Sequence, residues 1–292
     1  MYNNFDELIN QASKKESRKV AVVMAEDTEV IEACKAAFQK NIVIPVFIGD
    51  KQKIKDFGGD FEGAEIIHVQ SEEQAAMKAV ELASENSVHM IMKGKLSTST
   101  FLKAIVNKEK NLTDGNILSH ILVFEKNNKL RIVTDGGMIT YPDIMQKVKI
   151  TENAVKVMIA LGVKKPKVAP ICAVETVNPA MQATIDAAQL SKMSDRNQIK
   201  NCIIDGPLAL DNAISKEAAE HKGIISEVAG NADILLVPDI EVGNILGKSL
   251  LYFAKCESGG IIAGAKVPII MLSRADNRKT KLNSIALAMM CS

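Results

Sequence analysis

The chain has 292 residues, 47% of them hydrophobic, enough to bury a substantial core and more than one compact domain usually needs, so two domains are expected. Its 36 basic and 35 acidic residues leave no global field that would recruit nucleic acid or an anionic membrane, and any anionic ligand must be gripped locally. No run of eighteen apolar residues occurs, and the opening MYNNFDELINQASKK lacks the order of a signal peptide, so a cytoplasmic protein with no membrane partner is expected.

Short Val- and Ile-rich runs recur at 20–24, 42–48, 64–69, 88–92, 168–174, 202–205, 234–237 and 267–272. Continuous apolar runs of this length indicate strands buried on both faces. Between them, stretches such as 71–86, 178–193 and 244–255 repeat apolar residues at three and four, the period of an amphipathic helix. Alternating strands and helices predict an α/β fold with mainly parallel sheets. The runs 120–125 and 130–134, joined across Asn127 and Asn128, predict a hairpin, so the sheet should be mixed. TDGGMITYPD at 134–143 then changes the element type and marks a domain boundary.

Four segments can carry chemistry, because in parallel sheets ligands bind beyond the carboxyl ends of strands. In MKGKLSTSTFLKAI, Ser97 or Thr98 can cap a helix whose free amides, with Lys95, would face an anion; the plain alternative is an N-cap beside solvated lysines. In IIDGPLALDNAIS, Asp205 follows a strand and Asp211 opens a helix, so both carboxylates either face a ligand or serve the backbone. Asp239 ends a further strand, Gly243 permits close approach, and Asn244 and Lys248 lie one helical turn apart. Finally, 267–272 delivers Ser273 and Arg274 to a strand end. With only five arginines in the chain, Arg274 is the position best suited to a two-point grip on a compact anion.

The five cysteines form no C-x-x-C pair and the four histidines are scattered, which predicts reduced thiols, no metal and no dinucleotide cofactor.

Taken together, APICAVETVNPAMQATIDAAQLSKM, IIDGPLALDNAISKEAAEHKG, VAGNADILLVPDIEVGNILGKSLLYFAK and IAGAKVPIIMLSRAD resemble the phosphate butyryltransferase branch of the phosphotransacylases. With MKGKLSTSTFLK and SHILVFE, the resemblance covers the chain from about residue 92 to its end. It implies two α/β domains around a cleft, in the fold class shared with isocitrate dehydrogenases: 1–138 with 264–292, and 139–263. The second domain would form a homodimer, to which the helix at 178–193 is expected to contribute. Acyl-CoA and inorganic phosphate are the implied partners, with coenzyme A a substrate and no resident cofactor.

The resemblance further implies that Ser273 stabilises an oxyanion and Arg274 binds phosphate, with Lys103 where acetyl-specific relatives carry a coenzyme-binding arginine. Those relatives place an acidic base seven residues after the serine; here that position is Thr280, which leaves Asp276, Asp205 or Asp239 as substitutes, or none. Butyryl transfer is the expected reaction. Acetyl or branched acyl groups are alternatives, as are a metal-dependent dehydrogenase on the same fold and a catalytically silent acyl-CoA sensor.

Overall fold

The computed structural model describes residues 2–272 and 276–292. By their internal contacts these form two α/β units, Phe5–Leu118 with Ser258–Ser292, and Met1–Asn4 with Ser119–Glu257.

The first unit alternates helix and strand from its start: α1 (Phe5–Ala12), β1 (Arg18–Val23), α2 (Thr28–Gln39), β2 (Val43–Gly49), α3 (Lys51–Asp56), β3 (Glu65–His68), α4 (Glu72–Ser84), β4 (Met90–Lys93) and α5 (Thr98–Ile105). The last four residues of β1 and the last five of β2 are buried without interruption, as strands covered on both faces must be. Asp27, Asp50, Ser71 and Ser97 each close a helix start with a side-chain oxygen on a first-turn amide.

The second unit begins with β5 (Ser119–Glu125) and β6 (Leu130–Thr134), the hairpin expected from sequence. Asn127 and Asn128 both take positive φ, at 53° and 54°, which a two-residue turn of this kind requires and asparagine tolerates. There follow α6 (Ile144–Ala160), β7 (Lys167–Pro170), α7 (Gln182–Asp195), β8 (Ile203–Ile204), α8 (Leu210–Ile214), α9 (Lys216–His221), β9 (Ile234–Leu236) and α10 (Ile240–Tyr252). The strand order is β5-β6-β9-β7-β8, parallel after the hairpin.

The chain then returns to the first unit through β10 (Glu257–Ala263), β11 (Ile269–Ile270) and α11 (Arg278–Cys291). β11 lies parallel to β4 and antiparallel to β10, giving the order β3-β2-β1-β4-β11-β10. From Ile285 to Met289 every residue of α11 is at most 1% exposed, so this part of the helix is interior on all sides, and the helix packs against α1 and α2. The mixed, mainly parallel α/β architecture expected from the apolar runs is present. Contacts assign the hairpin to the unit that follows it, with the border at 118/119.

Helices α6 and α7 are locked by a buried ion pair. Lys147 Nζ stands 2.6 Å from Asp186 Oδ2, and Gln182 donates to Asp186 Oδ1 at 2.8 Å. Removing one partner strands the other charge in the interior, so Lys147→Met should lower unfolding free energy by about 3–5 kcal/mol. The double variant Lys147→Met/Asp186→Leu should recover most of it. Urea titration of the three proteins checks this, and equal losses in single and double variants would contradict it.

Candidate functional site

In the first unit, the carboxyl ends of β1, β4 and β11 open on a cavity of about 380 Å³. Its wall includes Glu26, Glu29, Lys93, Lys95, Leu272 and Lys281. The ends of β1 and β4 are joined beyond the strands proper: Gly94 N–H donates to Val23 O at 2.8 Å, and Lys95 N–H to Met24 O at 2.7 Å. That pairing places Lys95, one of the anticipated anion ligands, on the cavity rim. Lys281 is buried and serves structure, its ammonium donating to Glu29 Oε2 at 2.7 Å and to the carbonyl of Asp276. It thereby anchors the half-buried Asp276 beside the cavity. Ser273 and Arg274, the residues on which the anion grip was expected to rest, lie outside the described residues; Leu272, which immediately precedes them, lines the cavity.

The hydroxyls of the α5 entry serve the helix. Ser97 Oγ accepts the Thr100 N–H at 3.0 Å and shares a hydrogen with Thr100 Oγ1 at 2.8 Å. The Ser97 amide is given to Glu72 Oε2 at 3.0 Å, so a carboxylate of the protein itself stands there. Thr98 is exposed at the first helical position. Lys103 lies on the same helix in a separate groove of about 410 Å³ shared with Ser99, Thr100, Glu73 and Met77. The structure therefore sets Lys95 and Lys103 in separate cavities, and Asp276 touches the first only through its carbonyl on Lys281.

The other anticipated residues belong to the second unit. Asp205, half-buried, follows β8 and donates its amide to Val168 O at 3.2 Å. Asp239 caps α10, its Oδ1 accepting the Val242 N–H at 2.9 Å. Gly243 is needed for packing: a Cβ there would stand 2.6 Å from Gly136 Cα and 2.8 Å from Asp135 O, so the approach it permits is that of the 134–143 loop. Asn244 reaches the same loop, its amide 3.4 Å from Gly136 O, and Lys248 is exposed one turn on.

That loop is organised by Asp135, which sequence reasoning treated only as part of a boundary. The side chain is 3% exposed and accepts three backbone amides, from Gly137 at 2.9 Å, Met138 at 3.0 Å and Ile139 at 3.2 Å. Burial holds its carboxyl above the ordinary value of 3.8, against the opposing pull of those amides and of His120. Glu26 was also missed, since its segment carried no recognised motif. Among the described residues, no group of three or more His, Cys, Asp or Glu side chains could hold a metal ion. All five cysteines are free; burial pushes Cys34 and Cys291 up to about 12 and Cys172 and Cys202 to about 11, which leaves these thiols protonated and inert at neutral pH.

Compared with known proteins, residues 63–289 match the family described as "Phosphate acetyl/butaryl transferase", and the chain belongs to that family. It is 48% identical to the phosphate butyryltransferase of Clostridium acetobutylicum, over 99% of this chain and 98% of that one. It is also 41% identical to the phosphate acetyltransferase of Thermotoga maritima, over 97% and 98% respectively. Among solved structures, a branched-chain phosphotransacylase from Enterococcus faecalis V583 superposes with a TM-score of 0.86 at 32% identity, covering 94% of this chain and 98% of its own.

The raised Asp135 carboxyl makes a prediction about stability. A native state that holds the proton more tightly than the unfolded chain loses stability as pH climbs from about 3.8 through the raised value. Asp135→Asn keeps one acceptor for the loop amides but cannot titrate. Its stability should therefore fall less than that of the wild type as pH rises above about 4. Chemical denaturation at several pH values measures this, and parallel curves for the two proteins would refute the assignment.

Proposed function

We propose that the protein is a phosphate acyltransferase that interconverts a short-chain acyl-CoA plus phosphate with an acyl phosphate plus coenzyme A, with butyryl the preferred acyl group. The observation that carries this reading is the 48% identity to the Clostridium acetobutylicum phosphate butyryltransferase, which extends over 99% of this chain. Acetyl and branched acyl groups are the nearest alternatives, because similar proteins bear those names. A pocket gains only about 1–3 kcal/mol per methylene, so the three chains are to be ranked by rate and not by all-or-none exclusion.

In this reading coenzyme A is a substrate and no covalent acyl-enzyme forms. A phosphate oxygen attacks the thioester carbon, the carbon–sulfur bond breaks, and the thiolate leaves. Negative charge gathers on the carbonyl oxygen beside a phosphate that is already charged, so positive groups and donors set in advance lower the barrier. Arg274 and Ser273, which follow β11 in the sequence, and Lys95, which follows β4, are the groups we assign to this role, and Asp276 is the acceptor we assign to the thiol proton in the reverse direction. Lys103, in its separate groove, is assigned to coenzyme A. A cytoplasmic location goes with this chemistry; no helix among the described residues is long and apolar enough to cross a membrane.

Thiol release from butyryl-CoA that depends on added phosphate, faster than from acetyl-CoA or isobutyryl-CoA, is the expected result. Release without phosphate, or none at all, would overturn the reaction. Within that assay Arg274→Lys keeps the charge but loses the planar fork, and misplacing the attacking oxygen should lower the rate about 100-fold. Arg278→Ala is the comparison: Arg278 is spent on an exposed ion pair with Glu32 at 3.0 Å, so its loss should be small. Equal damage from the two would dislodge the phosphate from Arg274.

We also infer a homodimer formed through the second unit. An exposed apolar group lies on α10 and its C-cap, where Val242, Ile245, Tyr252 and Phe253 are 38%, 68%, 57% and 87% exposed, whereas the large apolar residues of α7 are at least partly covered. Light scattering should give about twice 31.6 kDa at micromolar concentration, and Ile245→Glu should shift it toward one chain. A wild-type monomer would end this proposal.

A further inference from the structure

The cavity of the first unit contains one carboxylate oxygen for which the described fold provides no donor. Glu26 follows β1 by three residues and its side chain is 7% exposed. Its Oε1 accepts the Asp50 N–H at 2.6 Å, whereas Oε2 is buried with no hydrogen-bond partner among the described residues. Room for the group is made by Gly49, where a Cβ would stand 2.6 Å from Oε1 and 2.9 Å from Oε2. A buried charged acceptor left unmade is expensive, and folded proteins almost always satisfy such groups.

The remaining charges on the cavity wall are largely committed. Lys281 is held by Glu29 and the Asp276 carbonyl, Lys93 reaches its neighbour's carbonyl at 3.4 Å, and Asp27 caps α2. Glu26, with its unanswered Oε2, and Lys95 line the same cavity. A ligand that suits both must be compact, must carry negative charge for Lys95, and must also offer a proton to a carboxylate. Inorganic phosphate near neutral pH meets all three conditions, since it retains at least one O–H. Sulfate has the same shape and size but no proton, and would turn a bare oxygen toward a carboxylate of like charge.

We propose that Glu26 accepts the P–OH hydrogen of the phosphate substrate bound at Lys95, so that the cavity reads the protonation state of the anion and discriminates against sulfate. The same contact orients the nucleophile, because the hydroxyl is turned to Glu26 and the bare oxygens are left for Lys95 and the thioester. This rests on the phosphate acyltransferase reading, and the test is chosen to separate the two.

Inorganic phosphate and sulfate are titrated by calorimetry into the wild type, Glu26→Gln and Lys95→Met, with thermal unfolding as a check on folding. Glutamine keeps an oxygen for the Asp50 amide, so Glu26→Gln should fold. In it the preference for phosphate over sulfate should fall about ten- to hundred-fold, the worth of one hydrogen bond to a charged group. Lys95→Met should weaken both anions alike and leave their ratio unchanged. An unaltered ratio in Glu26→Gln overturns the proposal, as does phosphate binding indifferent to Lys95→Met. If Glu26→Gln does not fold, Glu26→Asp, which retains charge but draws the carboxylate back, must show the lowered ratio. Phosphate-dependent thiol release with an unaltered ratio would sink the Glu26 assignment alone. A lowered ratio without turnover would sink the reaction and leave the anion site standing.

Discussion

The parallel pairing of Ile269 and Ile270 with Ile91 and Met92 is the contact on which the arrangement depends. It inserts a two-residue strand, buried on both sides, between β4 and β10. The segment that follows therefore leaves the sheet at the same edge where β1 and β4 end. Three strand ends converge there, and in parallel sheets that edge is where backbone amides and loops are free to meet a ligand. α11, buried from Asn283 to Met290, holds the returning chain in place through apolar contact where a surface helix could not.

Around that edge, charge is managed by pairing. Lys281 is buried against Glu29, and in the other unit Lys147 is buried against Asp186, so each ion has a partner at hydrogen-bond distance. Asp135 is satisfied by three amides of its own loop. Buried ions in such company are tolerated because each desolvation cost is met by a specific contact. Among the described buried carboxylates Glu26 is the exception, with one oxygen answered and one not, and this contrast gives it chemical meaning.

Several elements were legible before any coordinates. The Val- and Ile-rich runs became strands because burial on both faces leaves no room for polar alternation, and Asn127–Asn128 became a turn because few other residues accept positive φ. β10 was not legible. Its Ser258-Gly259-Gly260 opening reads as a turn, yet the glycine lies under α11, where a Cβ at Gly259 would meet the Asn283 and Ser284 backbone at 3.1 Å. The apolar period alone starts α10 at 244, four residues late, because Asp239 reads as a strand end, whereas it is the cap that starts the helix at Ile240.

The residue types of the candidate site followed from local chemistry alone: an arginine after a buried strand, a lysine after another, and hydroxyls at a helix start. Those features depend on neighbours in the chain, so sequence by itself determined them. Which candidates share a space was decided only by the tertiary structure. Lys95 and Lys103 are eight positions apart yet line separate cavities, while Glu26 and Lys281, at opposite ends of the chain, line one. The physical reason is that strand order is set by burial and hydrogen bonding summed over the whole sheet. The partner of an unfilled carboxylate oxygen therefore depends on residues hundreds of positions away, which no local pattern encodes.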